Sequence, residues 1–284
     1  AHAPFALPIS WTNTGNVEGD GWNLVGNPVA SPIDFGTMSK GSDVRNMYWI
    51  FNPVSGSMDF WNETLQAGSA GMNGNIQSSQ AFWLKVDGPA NAVSVTEANK
   101  VNDPTGGLFG GITGADSRAL AAQPLVRVRI TDLNNGYYSE ALVHFGAGNP
   151  GTDDQDMGLL HFDLGGEVAP IIASIDPNGR ELALNAYGNN GADVFIPMMV
   201  KSAASGMHRI EIMESGNTGL PDCLILQDLL TGEFVQVSAG NSMEILLTVN
   251  DIDNGPRFRL VGASPLAFAS VNATCDDLAD GTAA

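Results

Sequence analysis

The densest cluster of carboxylates in this sequence lies in a segment that also contains several glycines. Asp153, Asp154, Asp156 and Asp163 follow Gly151 closely along the chain. Carboxylate oxygens on a loop are the ligands that calcium prefers. The spacing is not that of an EF-hand, because no single starting residue places glycine at the sixth position and glutamate at the twelfth. We therefore expect that any metal bound here is calcium, and a solvated acidic loop without metal is the alternative interpretation.

Tyr48, Trp49 and Trp61 are candidates for a sugar-stacking platform, because exposed aromatic rings offer flat apolar faces with a polar edge. Strand alternation places Tyr48 and Ile50 on one face of a strand and Trp49 and Phe51 on the other. At most one of these faces can be open to solvent in a packed domain. Large aromatic side chains also fill hydrophobic cores, and core packing is the competing interpretation.

The sequence contains no local motif of an enzyme. It lacks a Gly-x-Ser-x-Gly elbow, a phosphate-binding loop ending in Gly-Lys-Ser/Thr, and a His-Glu-x-x-His zinc motif. Its four histidines, His2, His144, His161 and His208, are scattered along the chain. A histidine inside a strand pattern is more often a packed residue than a base or a ligand. We predict that the chain has no enzymatic activity and that calcium is the one candidate cofactor.

The composition and the hydrophobic periodicity favour strands. The chain has 34 glycines and 15 prolines, and only 15% of its residues are charged, which is typical of a β-protein with many turns. Val126, Val128 and Ile130 alternate with Arg127 and Arg129, and period-two patterns of this kind indicate half-buried antiparallel strands. Similar alternation is found at residues 209–212, 245–249 and 257–260. We predict an all-β fold with two antiparallel β-sandwich or jelly-roll-like domains.

Aromatic and acidic residues are distributed unevenly along the chain. All five tryptophans fall within the first 83 residues, whereas 23 of the 31 acidic residues lie after residue 100. A Gly-rich segment separates the two regions and would be costly to order in a regular element. We predict an aromatic-rich N-terminal β domain at 1–101, a Gly-rich linker at 102–123, an acidic β-sandwich at 124–268 and a tail at 269–284.

The net charge excludes several classes of partner. At −19, with a pI near 4.2, the chain repels nucleic acid and anionic membranes. No apolar run approaches 18 residues, so we expect no membrane insertion. Two cysteines cannot by themselves form a four-ligand zinc site, and no Cys-x-x-Cys motif is present.

Several segments match a known type of exported protein. Residues 21–35 read GWNLVGNPVASPIDF, and this stretch resembles the GWNLIGNPYPSAIDW signature of large surface proteins that Bacteroidota export through the type IX secretion system. The resemblance extends to residues 48–51, 60–62, 76–86, 125–162, 223–237 and 256–261. Residues 272–284 are similar to the opening of the repeats in gliding-motility adhesins.

This resemblance implies an extracellular location at the cell surface. It implies a non-enzymatic structural or adhesive module, such as a stalk, an adhesin or a filament unit, whose tail leads into a further repeat. The expected partners are neighbouring domains or further copies of the same protein, with surface polysaccharide as another candidate. The alternative function is a carbohydrate-binding accessory module of a secreted hydrolase.

Cys223 and Cys275 are the two cysteines of the chain. In a reducing compartment both would be thiols. Because the resemblance implies export to an oxidising environment, an even pair of cysteines predicts a disulfide between them.

Overall fold

The computed structural model describes residues 3–16, 19–102, 124–146, 148, 153–160, 169–188, 193–216, 220, 222–248 and 255–263. Contacts between Cα atoms divide the chain into two compact units, residues 1–119 and 120–284. Apart from two short 3₁₀ turns, all regular structure in the described residues is β-strand. The predicted all-β class is confirmed. None of the described residues form a helix that is long and apolar enough to cross a membrane.

Unit 1 is built from short strands. They are β1 Phe5–Ala6, β2 Trp22–Gly26, β3 Ile33–Asp34, β4 Ser39–Lys40, β5 Val44–Asn52, β6 Ser57–Asn62, β7 Ala67–Gly68, β8 Asn75–Ile76, β9 Ala81–Val86 and β10 Val93–Val95. The 3₁₀ turns are Phe35–Thr37 and Glu97–Asn99. The strands form three antiparallel sheets, with the orders β2-β9-β5-β6-β7, β1-β10-β4 and β3-β8.

The core of unit 1 is aromatic. The Tyr48 ring lies 4.9 Å from the Phe35 ring and 6.1 Å from the Phe82 ring. Trp61 pairs with Tyr48 across β5 and β6 and belongs to the same cluster. Trp49 lies on the opposite face of β5, with its ring 4.7 Å from that of Trp22. The alternation predicted for β5 is therefore present, and both of its faces are covered at the centre of the sheet.

The residues of the GWNLVGNP segment have structural roles within unit 1. Gly21 has a φ of +77°, and a Cβ there would come within 1.9 Å of the Val86 carbonyl oxygen, so a side chain is excluded. The Asn23 side chain accepts the Ser10 N–H at 2.8 Å and donates to the Ser10 carbonyl at 2.9 Å. Asn27 follows β2 and ties its loop to the β8–β9 connection. These contacts explain why this pattern needs glycine and asparagine.

Unit 2 contains eleven strands in its described part. They are β11 Leu125–Asp132, β12 Tyr138–His144, β13 Met157–Gly158, β14 Ile171–Ile175, β15 Glu181–Ala186, β16 Val194–Lys201, β17 Gly206–Ser215, β18 Asp222–Asp228, β19 Phe234–Gln236, β20 Ser242–Leu247 and β21 Phe258–Ala263. They form one sheet of order β19-β18-β21-β16-β14-β15-β12-β11-β17-β20, with β13 added on β15. Every pairing is antiparallel except that of β12 with β15, which is parallel.

The long sheet folds over a single core. Its two end strands, β19 and β20, lie in contact. Strands from both halves of the sheet contribute to one buried cluster, which includes Val128, Ile212, Ile196, Leu226 and Phe258. Two layers of strands around a shared core are a β-sandwich arrangement, as predicted for this region. The tight turns at Gly136 and Gly232 have φ near +80° and close the β11–β12 and β18–β19 hairpins.

A buried ionic network lies on the face of β11 that points away from this core. Arg129 donates two hydrogen bonds to Glu140 Oε1, at 3.0 and 2.7 Å. Arg127 lies 3.7 Å from the other Glu140 oxygen and also pairs with Glu214 on β17. The network therefore links the β11–β12 hairpin to β17, which comes from much later in the sequence. Truncating one partner of such a buried network leaves an uncompensated charge and costs about 3–5 kcal/mol.

Candidate functional site

The acidic loop places Asp156 inside the protein rather than at its surface. Asp156 is fully buried. Its Oδ2 accepts the Asp153 N–H at 2.8 Å, and its Oδ1 accepts the Ala186 N–H of β15 at 2.9 Å. Nη2 of Arg180 lies 3.4 Å from Oδ2. This carboxylate therefore attaches the loop to β15.

The environment of Asp156 has opposing effects on its charge. Burial raises the pKa of Asp156 to about 6, while the N–H groups of Ala186 and Asp153 and the Arg180 guanidinium lower it. Arg180 also lies 3.3 Å from Asp176, so one cation serves two carboxylates. Asp156 has no oxygen left without a protein partner, which reduces its value as a metal ligand.

The other predicted calcium ligands are only partly described. Asp153 accepts the Gln155 N–H at 2.7 Å, and Asp154 is exposed. Asp163 lies outside the described residues. Within the part of the chain that the structure describes, no three His, Cys, Asp or Glu side chains are grouped so that they could hold a metal ion. Calcium binding at this loop stays a prediction.

The three aromatic candidates do not form a surface. Tyr48, Trp49 and Trp61 are 0%, 1% and 0% exposed. Tyr48 and Trp61 pack in the core of unit 1, and Trp49 packs against Trp22 on the other face of the sheet. A sugar-stacking platform requires an accessible ring face, and none of these rings offers one. The competing interpretation, core packing, describes these three residues.

A serine and a histidine do meet in unit 2. His208 Nε2 lies 3.1 Å from Ser202 Oγ, and His208 Nδ1 lies 3.0 Å from the Gly206 carbonyl. Because a carbonyl only accepts, Nδ1 carries the hydrogen. A serine hydroxyl and a histidine ring are also hydrogen-bonded in serine hydrolases. Here, however, His208 is 0% exposed and Ser202 is 5% exposed. Ser202 Oγ also lies 2.9 Å from the Ala204 carbonyl oxygen, so the pair braces the turn before β17.

Of the remaining histidines, the structure describes only His144. His144, at the end of β12, is buried, and burial lowers its pKa. His2 and His161 lie outside the described residues. The described histidines therefore provide no accessible base.

Cys223 lies at a β-bulge near the start of β18. Its φ is +53°, a left-handed conformation that is uncommon for residues other than glycine. The register of β18 against β21 shifts between Asp222 and Ile225. Cys275 lies outside the described residues, so the predicted disulfide is not tested.

One cleft in unit 2 was missed by the sequence patterns. It has a volume of about 220 Å³ and lies beside the β14–β15 hairpin and the first half of β16. Its lining includes Asp176, Pro177, Asn185, Tyr187, Phe195 and Pro197. The available signal is weak: Asn185 is a polar residue among the apolar residues of β15, and Pro197 interrupts the largely apolar strand β16.

Comparison of the chain with protein-family models, with curated proteins and with solved structures gave no match. The arguments about function below therefore rest on the sequence and the geometry.

Proposed function

We propose that this chain is an exported, non-catalytic β module of a larger cell-surface protein, in which it serves as a stalk, an adhesin or a filament unit. The proposal includes export by the type IX secretion system of a member of the Bacteroidota. Neighbouring domains or further copies of the same protein would be its partners. Surface polysaccharide is a further candidate.

One observation carries this proposal: several described side chains that could act as acids, bases or nucleophiles instead stabilise the fold through internal hydrogen bonds and ion pairs. Asp156 holds a loop, Ser202 and His208 hold a turn, and Glu140 holds β12 to β11. Catalysis requires titratable groups that converge in an accessible cleft. A module braced in this way is suited to transmitting force or presenting a surface.

The resemblance in residues 21–35 supports the location. The contacts of Gly21, Asn23 and Asn27 give this pattern a structural purpose that is independent of any ligand. A sequence segment that stabilises the fold, rather than binding a ligand, is what we expect in a structural module that recurs in surface proteins.

Two further features belong to this proposal. In an oxidising location Cys223 and Cys275 would form a disulfide, which mass spectrometry without reduction would detect as a loss of two hydrogens. Calcium would bind near Asp153, Asp154, Asp156 and Asp163 and raise the melting temperature by mass action. A melting temperature that is unchanged by a chelator would favour the metal-free loop.

A second candidate function is a carbohydrate-binding accessory module of a secreted hydrolase. Burial of Tyr48, Trp49 and Trp61 removes the surface first expected for it. The cleft at Asn185 and Phe195 is the observation that keeps this candidate open.

The proposed function is tested on cells that produce the protein. Antibodies against residues 124–263 should label intact cells, and deletion of the gene should weaken adhesion or gliding. Complementation then separates the roles. A gene in which this chain is replaced by an unrelated β-sandwich of equal length should restore the phenotype if the chain is a spacer, but not if it is the adhesive element.

Detection of the protein only after cell lysis would contradict the proposal. A cytoplasmic enzyme, probed with its own antibody, is the control for cell integrity. Hydrolase activity of the purified chain that is lost on Ser202→Ala substitution would also contradict it.

A further inference from the structure

The cleft beside β14 exists because a proline ends a strand pairing. β14 pairs with β16 from Ile171–Lys201 as far as Ser174–Met198. Continuing this register would place Ile175 opposite Pro197. Proline has no N–H to donate to a ladder. The pairing stops there, and the space between the hairpin and β16 forms the cleft of about 220 Å³.

A buried acceptor lines this cleft. Asn185 lies between the buried residues Leu184 and Ala186 on β15 and is only 5% exposed. Its Oδ1 atom has no hydrogen-bond partner among the described residues. A buried acceptor without a partner is unfavourable, and such groups are rare in folded proteins. A hydroxyl or N–H group of a bound ligand would satisfy it.

The walls of the cleft are more apolar than polar and include two aromatic side chains. Phe195 is 56% exposed, so the cleft is open to solvent along this residue. The Tyr187 ring is half-buried and held by Phe145, with the ring centroids 5.9 Å apart. Pro177 and Pro197 add rigid apolar surface. Exposed aromatic and proline faces, with few polar groups among them, match the general design of small-ligand sites.

The charge on the lining is already neutralised. Asp176 is the charged residue of the lining. Its Oδ1 accepts the N–H groups of Asn178 and Arg180, and its Oδ2 lies 3.3 Å from the Arg180 guanidinium. The lining therefore offers no unmatched charge to a ligand. This favours a neutral ligand over an ion.

We propose that this cleft binds one ring of a neutral saccharide. A hydroxyl of the sugar would donate to Asn185 Oδ1, and the apolar face of the ring would lie against Phe195 or Tyr187. The volume is below the ~300–1,000 Å³ of sites for drug-sized ligands, so it is suited to a single ring. This inference deepens the second candidate function and rests on it.

The test uses the purified chain and three probes: methyl α-glucoside, methyl β-galactoside and methyl α-mannoside. Titration is followed by ¹H–¹⁵N chemical shifts. We expect at least one probe to shift the amides of Asn185, Tyr187 and Phe195, with a millimolar dissociation constant typical of one weakly held ring. Phe195→Ala should weaken binding about tenfold, since it removes an exposed wall and a stacking face.

Asn185→Ala should weaken binding by a similar factor, because it removes the acceptor. If this variant does not fold, Phe195→Ala still tests the proposal, because Phe195 is mostly exposed. Phe234→Ala is the matched control: Phe234 is an exposed phenylalanine of the same sheet, outside the cleft.

The proposal is overturned if no probe shifts these amides, or if Phe195→Ala and Phe234→Ala bind equally. Preferential binding of a proline-rich peptide in the cleft would also overturn it. Failure here would leave the exported-module proposal intact, because that proposal is tested on cells.

Discussion

Lys40 lies in an environment that disfavours its positive charge. Its ammonium group donates to the Phe35 carbonyl at 2.6 Å and lies 3.9 Å from the centre of the Phe35 ring. Burial lowers the pKa of Lys40 to about 8, although the nearby carboxylates of Glu63 and Asp34 raise it. Desolvation therefore outweighs the two favourable charges. The shift in the pKa of Lys40 therefore depends on the residues that the fold packs around its ammonium group.

We expect Lys40 to titrate near pH 8. The unfolded chain keeps the proton up to about pH 10.5. The folded chain binds fewer protons between these two values, so the contribution of Lys40 to stability rises as the pH increases through this interval. Reductive ¹³C-methylation followed by NMR titration measures the midpoint. Lys40→Arg removes the signal and identifies it. A midpoint above pH 10 would show that the ammonium group is well solvated.

At the scale of elements, the alternation of apolar and polar residues predicts which segments form strands, but not which strands pair with each other. Val128, Ile130 and Ile212 were placed correctly on core faces because side-chain direction in a strand depends only on sequence position. The parallel pairing of β12 with β15 could not be predicted, since it joins Leu142 to Leu184 across a long connection.

The dependence on distant neighbours also explains why the exposure of the aromatic residues and the position of the cleft are not predicted from the sequence. The aromatic strand β5 was recognised, but its burial on both faces depends on neighbours from elsewhere in the chain. The cleft requires Pro197 to reach the end of the β14 ladder, and this register is not encoded locally. Asn185 and Phe195 come together only through that register.

Asn27 provides a test of how the GWNLVGNP segment stabilises unit 1. The two hydrogens of its Nδ2 are shared among the carbonyls of Ser31, Ile76 and Gln77, which lie at 2.9, 3.1 and 3.0 Å. Asn27→Ala leaves these acceptors without this donor, so we expect unfolding to become easier by about 1–3 kcal/mol. Urea denaturation measures the change.

Asn13→Ala is the matched control, because Asn13 is exposed and its side chain accepts a local N–H, that of Gly15. Surface substitutions of this kind usually change stability by about 0.5 kcal/mol or less. Equal effects of the two substitutions would mean that Asn27 does not secure the loop.

At the scale of the whole molecule, two compact units are joined through a segment whose sequence predicts a linker. Each unit has its own hydrophobic cluster, one including Tyr48 and the other including Ile212. Units with separate cores can retain their structure after the connection between them is cut. Residues 103–123 of the predicted linker 102–123 lie outside the described residues, and the linker contains one basic residue, Arg118.

We expect limited digestion with trypsin to cut first after Arg118. Lys85 is buried in β9, and Arg127 is buried in β11, so both are protected by strand pairing. Gly-rich connections between domains are preferred sites of proteolytic cleavage. Mass spectrometry should find fragments 1–118 and 119–284, and circular dichroism of each should retain a β-sheet spectrum. The Arg118→Gln variant should resist this first cut. If the first cleavage instead falls within a unit, or if the fragments lose their β-sheet signal, the two units depend on each other for folding.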